Sequence, residues 1–352
     1  MLRHFILLLF IASIASAASG IDHRTTLTIG EYNVENMFDA VDDSLTDDDA
    51  FTPQGENHWT KSIYYKKLNA IARAIIAMGT YPDTLASSAS TITEQTIFTP
   101  LDIIGLCEVE NDSVMTDLTK RTLLRNANYE YLITHSQDQR GINVALLYNR
   151  FAFFPLCHYG IRISMPKGTR PTRDILYVKG TTSNYDTLHI FVCHMPSRRG
   201  GERNTRDARL KCVSRLSESI DSIRQAHRSP NIIVMGDFND YSGSKPLRML
   251  TDTNYLIDIS TDAKAFNISE QVEDVRGTYR YQGIWGSLDH IFLSANLATR
   301  TTSCSIIASP MLLEDDKKFG GRQPNRFLLG TITRSGFSDH LPLRAVIDMS
   351  RK

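Results

Sequence analysis

Short, nearly continuous apolar runs recur along the chain, each ending in polar residues. They read "LTIGEYNV", "DIIGLCEVE", "VALLYN", "LHIFVCHM", "NIIVMGDFN", "LDHIFLS" and "LRAVIDM". Runs without polar alternation are expected of strands covered on both faces. Helical spacing lies between them. In "YYKKLNAIARAIIAMG", Leu68, Ile71, Ala72, Ile75 and Ile76 fall on one face, and Gly79 closes the segment. "RDARLKCVSRLSESIDSIRQ" repeats the pattern with Leu210, Val213, Leu216, Ile220 and Ile223. Strands interleaved with helices predict a layered α/β domain.

Two stretches break the pattern. Thr80 to Pro100, rich in Ser and Thr, reads as a surface loop. Asp39 to Phe51 is an acidic run, which reads as solvated surface, with a calcium loop as the alternative. No internal repeat and no linker divides the chain. The first residues, "MLRHFILLLFIASIASA", have a basic start, a roughly 10-residue apolar core too short for a bilayer's ~30 Å interior, and a small-residue end. They predict a signal peptide over residues 1–17, a catalytic domain over 18–352, and export to the periplasm or the extracellular space.

Composition changes this picture little. The chain has 352 residues, enough for a large core, and 39 basic against 39 acidic side chains. Zero net charge removes long-range attraction to a polyanion as the main driving force, leaving only local basic patches. The five cysteines are odd in number and have no CxxC spacing, so they read as buried thiols rather than a disulfide framework or a zinc site.

The polar residues that end the apolar runs carry the chemistry. They are Asn33 and Glu35, Glu108 and Glu110, His194, Asp237 and Asn239, Asp289, and Asp339 with His340. A single such residue is most often a cap or a turn. Six clusters built only of Asn, Glu, Asp and His point to one crevice at the strand ends. Carboxylate and amide oxygens suit Mg²⁺, Mn²⁺ or Ca²⁺, and two histidines can exchange protons near neutral pH. Neither a GxSxG elbow nor a P-loop is present. His158 reads as structural, and alternation along its strand turns His290 away from Asp289.

The ordered set "YNVEN", "CEVEN", "HMPS", "GDFND", "SLDHIFLS" and "SDHLPL" resembles the endonuclease/exonuclease/phosphatase superfamily over about Leu27 to Ile347. The resemblance implies a four-layered α/β sandwich with two packed mixed β-sheets flanked by helices, and metal-dependent phosphoester hydrolysis. It implies Glu108 as principal metal ligand, with Asn33 and Asp339 beside it. It places His340 on the scissile phosphate, oriented by Asp289, with His194 donating to a non-bridging oxygen or protonating the leaving oxygen, and Asn239 orienting the water or binding a phosphate oxygen. His340 and Asp237 both stand as the general base. Arg140, Arg198, Arg206 and Arg209 are candidate phosphate contacts, and Tyr241, Tyr281 and Trp285 are candidates for stacking. The first expectation is an exported nuclease acting on DNA or RNA. A phosphatase or phospholipase acting on inositol phosphates or lipid head groups is the second, the latter weakened because no exposed apolar hairpin is visible. An inactive binding module is the third. Neither a membrane span nor a protein partner is expected.

Overall fold

A computed structural model describes residues 25–83, 95–165, 170–266, 272 and 274–350. The expected signal peptide lies outside these residues. Among the described residues no helix is long and apolar enough to cross a membrane.

The strands that form the two large sheets, with one hairpin between them, are, in chain order, β1 Thr26–Met37, β2 Ile103–Val109, β3 Tyr129–Ile133, β4 Asn143–Asn149, β5 Phe153–Ile161, β6 Ile175–Thr182, β7 Thr187–His194, β8 Asn231–Asp237, β9 Leu256–Asp258, β10 Lys264–Phe266, β11 Tyr279–Tyr281, β12 Ile284–Gly286, β13 Asp289–Ser294, β14 Thr301–Ile307 and β15 Leu343–Asp348. One sheet has seven strands in the order β10-β14-β15-β1-β2-β4-β3, and the other has six in the order β9-β13-β8-β7-β6-β5. β11 and β12 form a separate two-stranded hairpin. Both large sheets are mixed. β1 runs parallel to β2 and antiparallel to β15, while β8 runs parallel to β7 and antiparallel to β13.

The sheets pack face to face because both inner faces are apolar. Met235 and Val192 of one sheet press on Gly105 of the other. A Cβ at Gly105 would lie 2.8 Å from Met235 and 3.2 Å from Val192, so glycine is what lets the sheets approach there. Alternation along β8 sends Ile233 and Met235 into this interface, and Ile232 and Val234 to the outer face under a helix. All seven apolar runs therefore become strands. β3, β5, β6 and β14 carry more polar residues and were not legible as strands.

Helices cover the outer faces. α1 (Lys61–Met78) starts at Thr60, whose side chain accepts from Ile63 N, and stops at Gly79, as its pattern predicts. α2 (Asp112–Lys120) packs on the same side and is capped by Asn111. α3 (Glu202–Ala226) starts four residues earlier than its apolar spacing suggests and buries Cys212, Val213, Leu216 and Ile220. Each such aliphatic side chain contributes on the order of 1.5–3 kcal/mol when fully buried. Arg209 takes the buried place expected of Leu210, which is only partly covered.

The segment read as a surface loop begins and ends as a hairpin, with Thr80–Asp83 paired to Gln95–Phe98; its middle lies outside the described residues. In the acidic run, Asp48 is buried and accepts from Asp43 N and Thr46 Oγ1. Among the described residues, no group of clustered metal-ligating side chains falls in that run. The cysteines are free: Cys107, Cys193 and Cys212 are buried, Cys304 is half-buried, and Cys157 is exposed, against the expectation of burial.

Candidate active site

The site is assembled by strand register. In the six-stranded sheet, Asp237 at the end of β8 sits opposite His194 on β7 and Asp289 on β13. Three polar side chains thus line up across three neighbouring strands. From the other sheet, Asn33 on β1 reaches across, and its Nδ2 donates to Asp237 Oδ2 at 3.1 Å. Both β1 and β2 slip register here, and Glu35, Asn36 and Glu108 take left-handed backbone, with φ of 52°, 54° and 66°. Left-handed conformations in non-glycine residues are costly and concentrate where a side chain must be re-aimed. The bulge turns Glu108 toward His194, whose Nε2 lies 3.7 Å from Glu108 Oε1 and 3.6 Å from Asp237 Oδ2. Gly236, at φ 141°, allows the strand exit into "GDFND", because a Cβ there would lie 1.9 Å from Cys193 O.

His340 and Asp289 form a buried pair, with Nδ1 and Oδ2 2.7 Å apart. Thr278 Oγ1 donates to the same carboxylate oxygen. Ser338 fixes the loop that carries His340: its Oγ donates to Asn33 O at 2.7 Å and accepts from His340 N at 3.1 Å. Burial opposes charge on the His340 ring, yet Asp289 beside it holds its pKa well above the ordinary histidine value. Burial pushes His194 the other way, with Arg173 and Arg140 adding to the effect, which favours the neutral ring. Burial raises the Asp237 carboxyl to about 7, and nearby Asp289 contributes. Asn239 orients Asp237, its N donating to Oδ1 at 2.8 Å and its Nδ2 to Oδ2 at 3.1 Å.

The donor set fits a hard divalent cation. Glu108 Oε2 accepts from Asn36 N at 2.8 Å, which leaves Oε1 to face the crevice. Asn33 Oδ1 accepts one bond, from Glu35 N, and an amide oxygen has two lone pairs. Asp289 Oδ1 and His194 Nδ1 are buried without hydrogen-bond partners, so the pocket has polar capacity that the protein does not satisfy. Ligand atoms of Asp237, Asp289 and His340 also lie within 4.8 Å of one another. In that trio Asp289 Oδ2 is already taken by His340 and Thr278, and Asp237 Oδ2 by the Asn33 and Asn239 amides, so the open oxygens of Glu108 and Asn33 suit a cation better. Asp339 is not part of that cluster, and its Oδ2 accepts from Arg326 at 3.1 Å.

The other expected residues separate. Arg140 donates to Asn36 Oδ1 and stands exposed at the rim beside the Glu108 bulge. Arg198 lies over the Tyr241 ring at 4.5 Å, 3.9 Å from Asp240. Arg209 is a correction. It is fully buried, its Nε donating to Asp240 Oδ2 at 3.0 Å, with Pro196 O and Thr205 Oγ1 taking Nη1, so it has no face for a substrate. Arg206, three residues earlier on the helix, differs from it in burial. Arg206 sits at the surface, paired with Glu202 one turn back at 2.9 Å. Glu35 turns away from the cleft toward buried Lys67, and Glu110 accepts from Asp39 N. His290 is bound by Asp258 and Asp240 O, and His158 is exposed on β5.

Sequence reasoning missed Thr278, Tyr279 and Arg173. Tyr279 bridges to His340 through the backbone and tilts its ring against the imidazole, centroids 4.9 Å apart. Arg173 donates to Met195 O at 2.8 Å and pairs with Asp138 at 3.2 Å. Only Thr278 left a trace, as a hydroxyl shortly before a polar strand end.

Two mixed sheets with a carboxylate-rich crevice at their strand ends are the fold and site of a phosphoester hydrolase. The sequence model of the Endonuclease/Exonuclease/phosphatase family matches residues 28–350, and the chain belongs to that family. No curated protein matches the chain. Among solved structures, an endonuclease/exonuclease/phosphatase family protein from Bacteroides thetaiotaomicron is similar at 15% identity, covering 93% of this chain and 99% of that one, with a TM-score of 0.59. A mannosyl-6-phosphatase from the same organism is similar at 16% identity, with 91% and 99% covered and a TM-score of 0.57. The human Nocturnin catalytic domain with a bound sulfate is similar at 15% identity, with 92% and 95% covered and a TM-score of 0.53.

Proposed function

We propose that this hydrolase cleaves terminal phosphoesters of compact molecules, with a divalent cation, and that Asp237 rather than His340 accepts the proton of the attacking water. The observation that carries the substrate reading is the fate of the arginines. Of the four counted on for a polyanion, Arg209 is sealed in the interior and Arg206 is neutralised by Glu202. Arg198 and the rim residue Arg326 also sit beside carboxylates, Asp240 and Asp339. Nucleic-acid affinity rests chiefly on cations that neutralise phosphates, and of those four only Arg140 has no carboxylate partner among the described residues. A phosphatase in the same fold, the mannosyl-6-phosphatase, supports the reading. The nuclease remains the second reading, favoured by exposed Tyr241 and Tyr281 near the rim.

Glu108 and Asn33 would hold the cation, and Mg²⁺ suits two protein oxygens plus solvent. When bound, it neutralises charge developing on the phosphoryl oxygens. The protein's own residues do the rest. His340, charged and fixed by Asp289, donates to a non-bridging oxygen. His194, neutral, accepts or donates at Nε2 between Glu108 and Asp237. Asp237 has its lone pairs aimed by Asn239 and Asn33, so it can take a proton from water in line with the departing oxygen. Phosphate release should be measured on mannose 6-phosphate, inositol phosphates, nucleoside monophosphates and plasmid DNA, with Mg²⁺ and with EDTA. Release from the small esters that stops in EDTA is expected. Nicking of plasmid with no release from any small ester would reverse the substrate reading.

A further inference from the structure

The hairpin β11–β12 has two faces with different jobs. On one, Arg280 lies over the Trp285 ring at 5.8 Å and is tied down by Asp316 at 3.2 Å and by Arg322 O and Gly320 O, each at 2.7 Å. That face anchors the hairpin. The other face carries Tyr279 and Tyr281 on β11, opposite Gly286 and Ile284 on β12. Tyr279 is the residue against His340. Two residues further out on the same face, Tyr281 is 61% exposed, and its cross-strand partner Ile284 is 75% exposed. The turn between them, Gln282–Gly283, has φ of 49° and 81°, the left-handed pair that fits a tight hairpin. Phe319 closes the tip, since a Cβ at Gly283 would lie 2.7 Å from Phe319 Cβ. At the base, a Cβ on Gly286 would lie 2.5 Å from the Tyr241 ring, over which Arg198 lies at 4.5 Å. An exposed apolar strip therefore leads outward from the phosphate end of the site. The hairpin was not visible in the sequence because β11 and β12 have only three residues each.

We infer that this face, Tyr281 with Ile284, is a binding platform for the part of the substrate that leaves with the bridging oxygen, and that it selects leaving groups presenting a flat ring. The inference rests on the phosphoesterase reading for the position of the phosphate. Its chemistry is independent of that reading. Solvated tyrosine and isoleucine side chains gain by covering a ring face and gain little from a short polyol, which keeps its water. Tyr279 sets the direction, because its own ring is held by His340 and so points the strip away from the phosphate. A nucleobase offers a planar face, and a sugar ring offers the apolar C–H side of its chair.

The test is calorimetric binding of phenyl phosphate and of glycerol phosphate, with Mg²⁺, to the wild type and to Tyr281→Ala, Ile284→Ser and Tyr281→Phe. The wild type should bind phenyl phosphate more tightly. Tyr281→Ala should cut that preference about tenfold, equivalent to ~1.4 kcal/mol. Ile284→Ser should cut it less, and Tyr281→Phe should keep it. Uridine 5′-monophosphate and mannose 6-phosphate then separate base from sugar by which loses more affinity in Tyr281→Ala. Equal binding of the two esters by the wild type, no binding of either, or an unchanged preference in Tyr281→Ala overturns the platform. A preference that persists while no ester is hydrolysed leaves the platform standing and removes the phosphatase instead.

Discussion

Two histidine–carboxylate pairs lie side by side in this protein, and only one faces the crevice. His340 and Asp289 are 2.7 Å apart; His290, the next residue along from Asp289, is 2.9 Å from Asp258. All four side chains are largely buried. The difference is at the second ring nitrogen. His290 Nε2 is bound to Asp240 O at 3.0 Å, and Ser260 Oγ also lies 3.2 Å from its Nδ1. His340 Nε2 has no protein partner among the described residues, and Asp289 Oδ1 is likewise unpartnered. A satisfied pair is a structural strut. A pair with one nitrogen and one oxygen left over is poised for a ligand. Identical chemistry thus gives opposite roles, set by what closes the far side of the ring.

The sharpest way to break this comparison is to remove each ring in turn. His340→Ala should lower kcat by about 10²–10⁴, the usual loss for a positioned proton-transfer group, and should also lower Tm, because it strands buried Asp289. His290→Ala should lose stability without a comparable loss of kcat. It strands Asp258 in the interior and should cost on the order of 3–5 kcal/mol, seen in urea unfolding, while kcat of the folded fraction falls less than tenfold. Equal loss of kcat in both folded variants would collapse the distinction.

Asp289→Asn sharpens the same point, since it keeps the shape but removes the charge that holds His340 protonated. A drop of about 10²-fold or more is expected, with the activity profile moving to lower pH on its alkaline side as the imidazolium titrates earlier.

The pH dependence of stability is a smaller effect. Asp237 has its folded pKa raised to about 7 against an unfolded value near 3.9, so the native state binds the extra proton between them. In EDTA, stability should therefore fall as pH rises from about 4 to about 7, and Asp237→Asn should flatten that slope. The raised His340 acts in its own window: its stabilisation is complete below about 6.5 and fades above that as pH approaches its folded pKa. A slope in Asp237→Asn equal to the wild type's would show that Asp237 is not the titrating group. The smallest effect belongs to Arg206→Ala, whose exposed partner Glu202 makes the pair worth no more than a few tenths of a kcal/mol. Its KM should stay within about twofold of the wild type.

Much of the fold was legible because the seven continuous apolar runs can only be satisfied by strands sealed on both sides, and all seven are. The resemblance was legible for a related reason: its motifs sit at the ends of those runs, where a polar residue has to be explained. What escaped were the elements whose burial is one-sided or brief. β5 is an edge strand with most of its residues exposed, and the β11–β12 hairpin has three residues on each arm, too few for a period to show. Arg209 escaped for the opposite reason. A basic residue near a helix start reads as solvent-facing unless its buried acid is known, and Asp240 comes from a different strand end, 31 residues away.

The amino-acid order by itself determined the layered class, the strands and helices that build its core, and which oxygen-rich and imidazole side chains end the strands, since hydrophobic period and local polarity are properties of neighbours in the chain. Which histidine is closed and which is open, which arginines are consumed by internal acids, and that an apolar hairpin face runs out from His340 were decided only in three dimensions. Each depends on a partner brought in from tens or hundreds of residues away, and a buried polar group's role is set by whether such a partner reaches it.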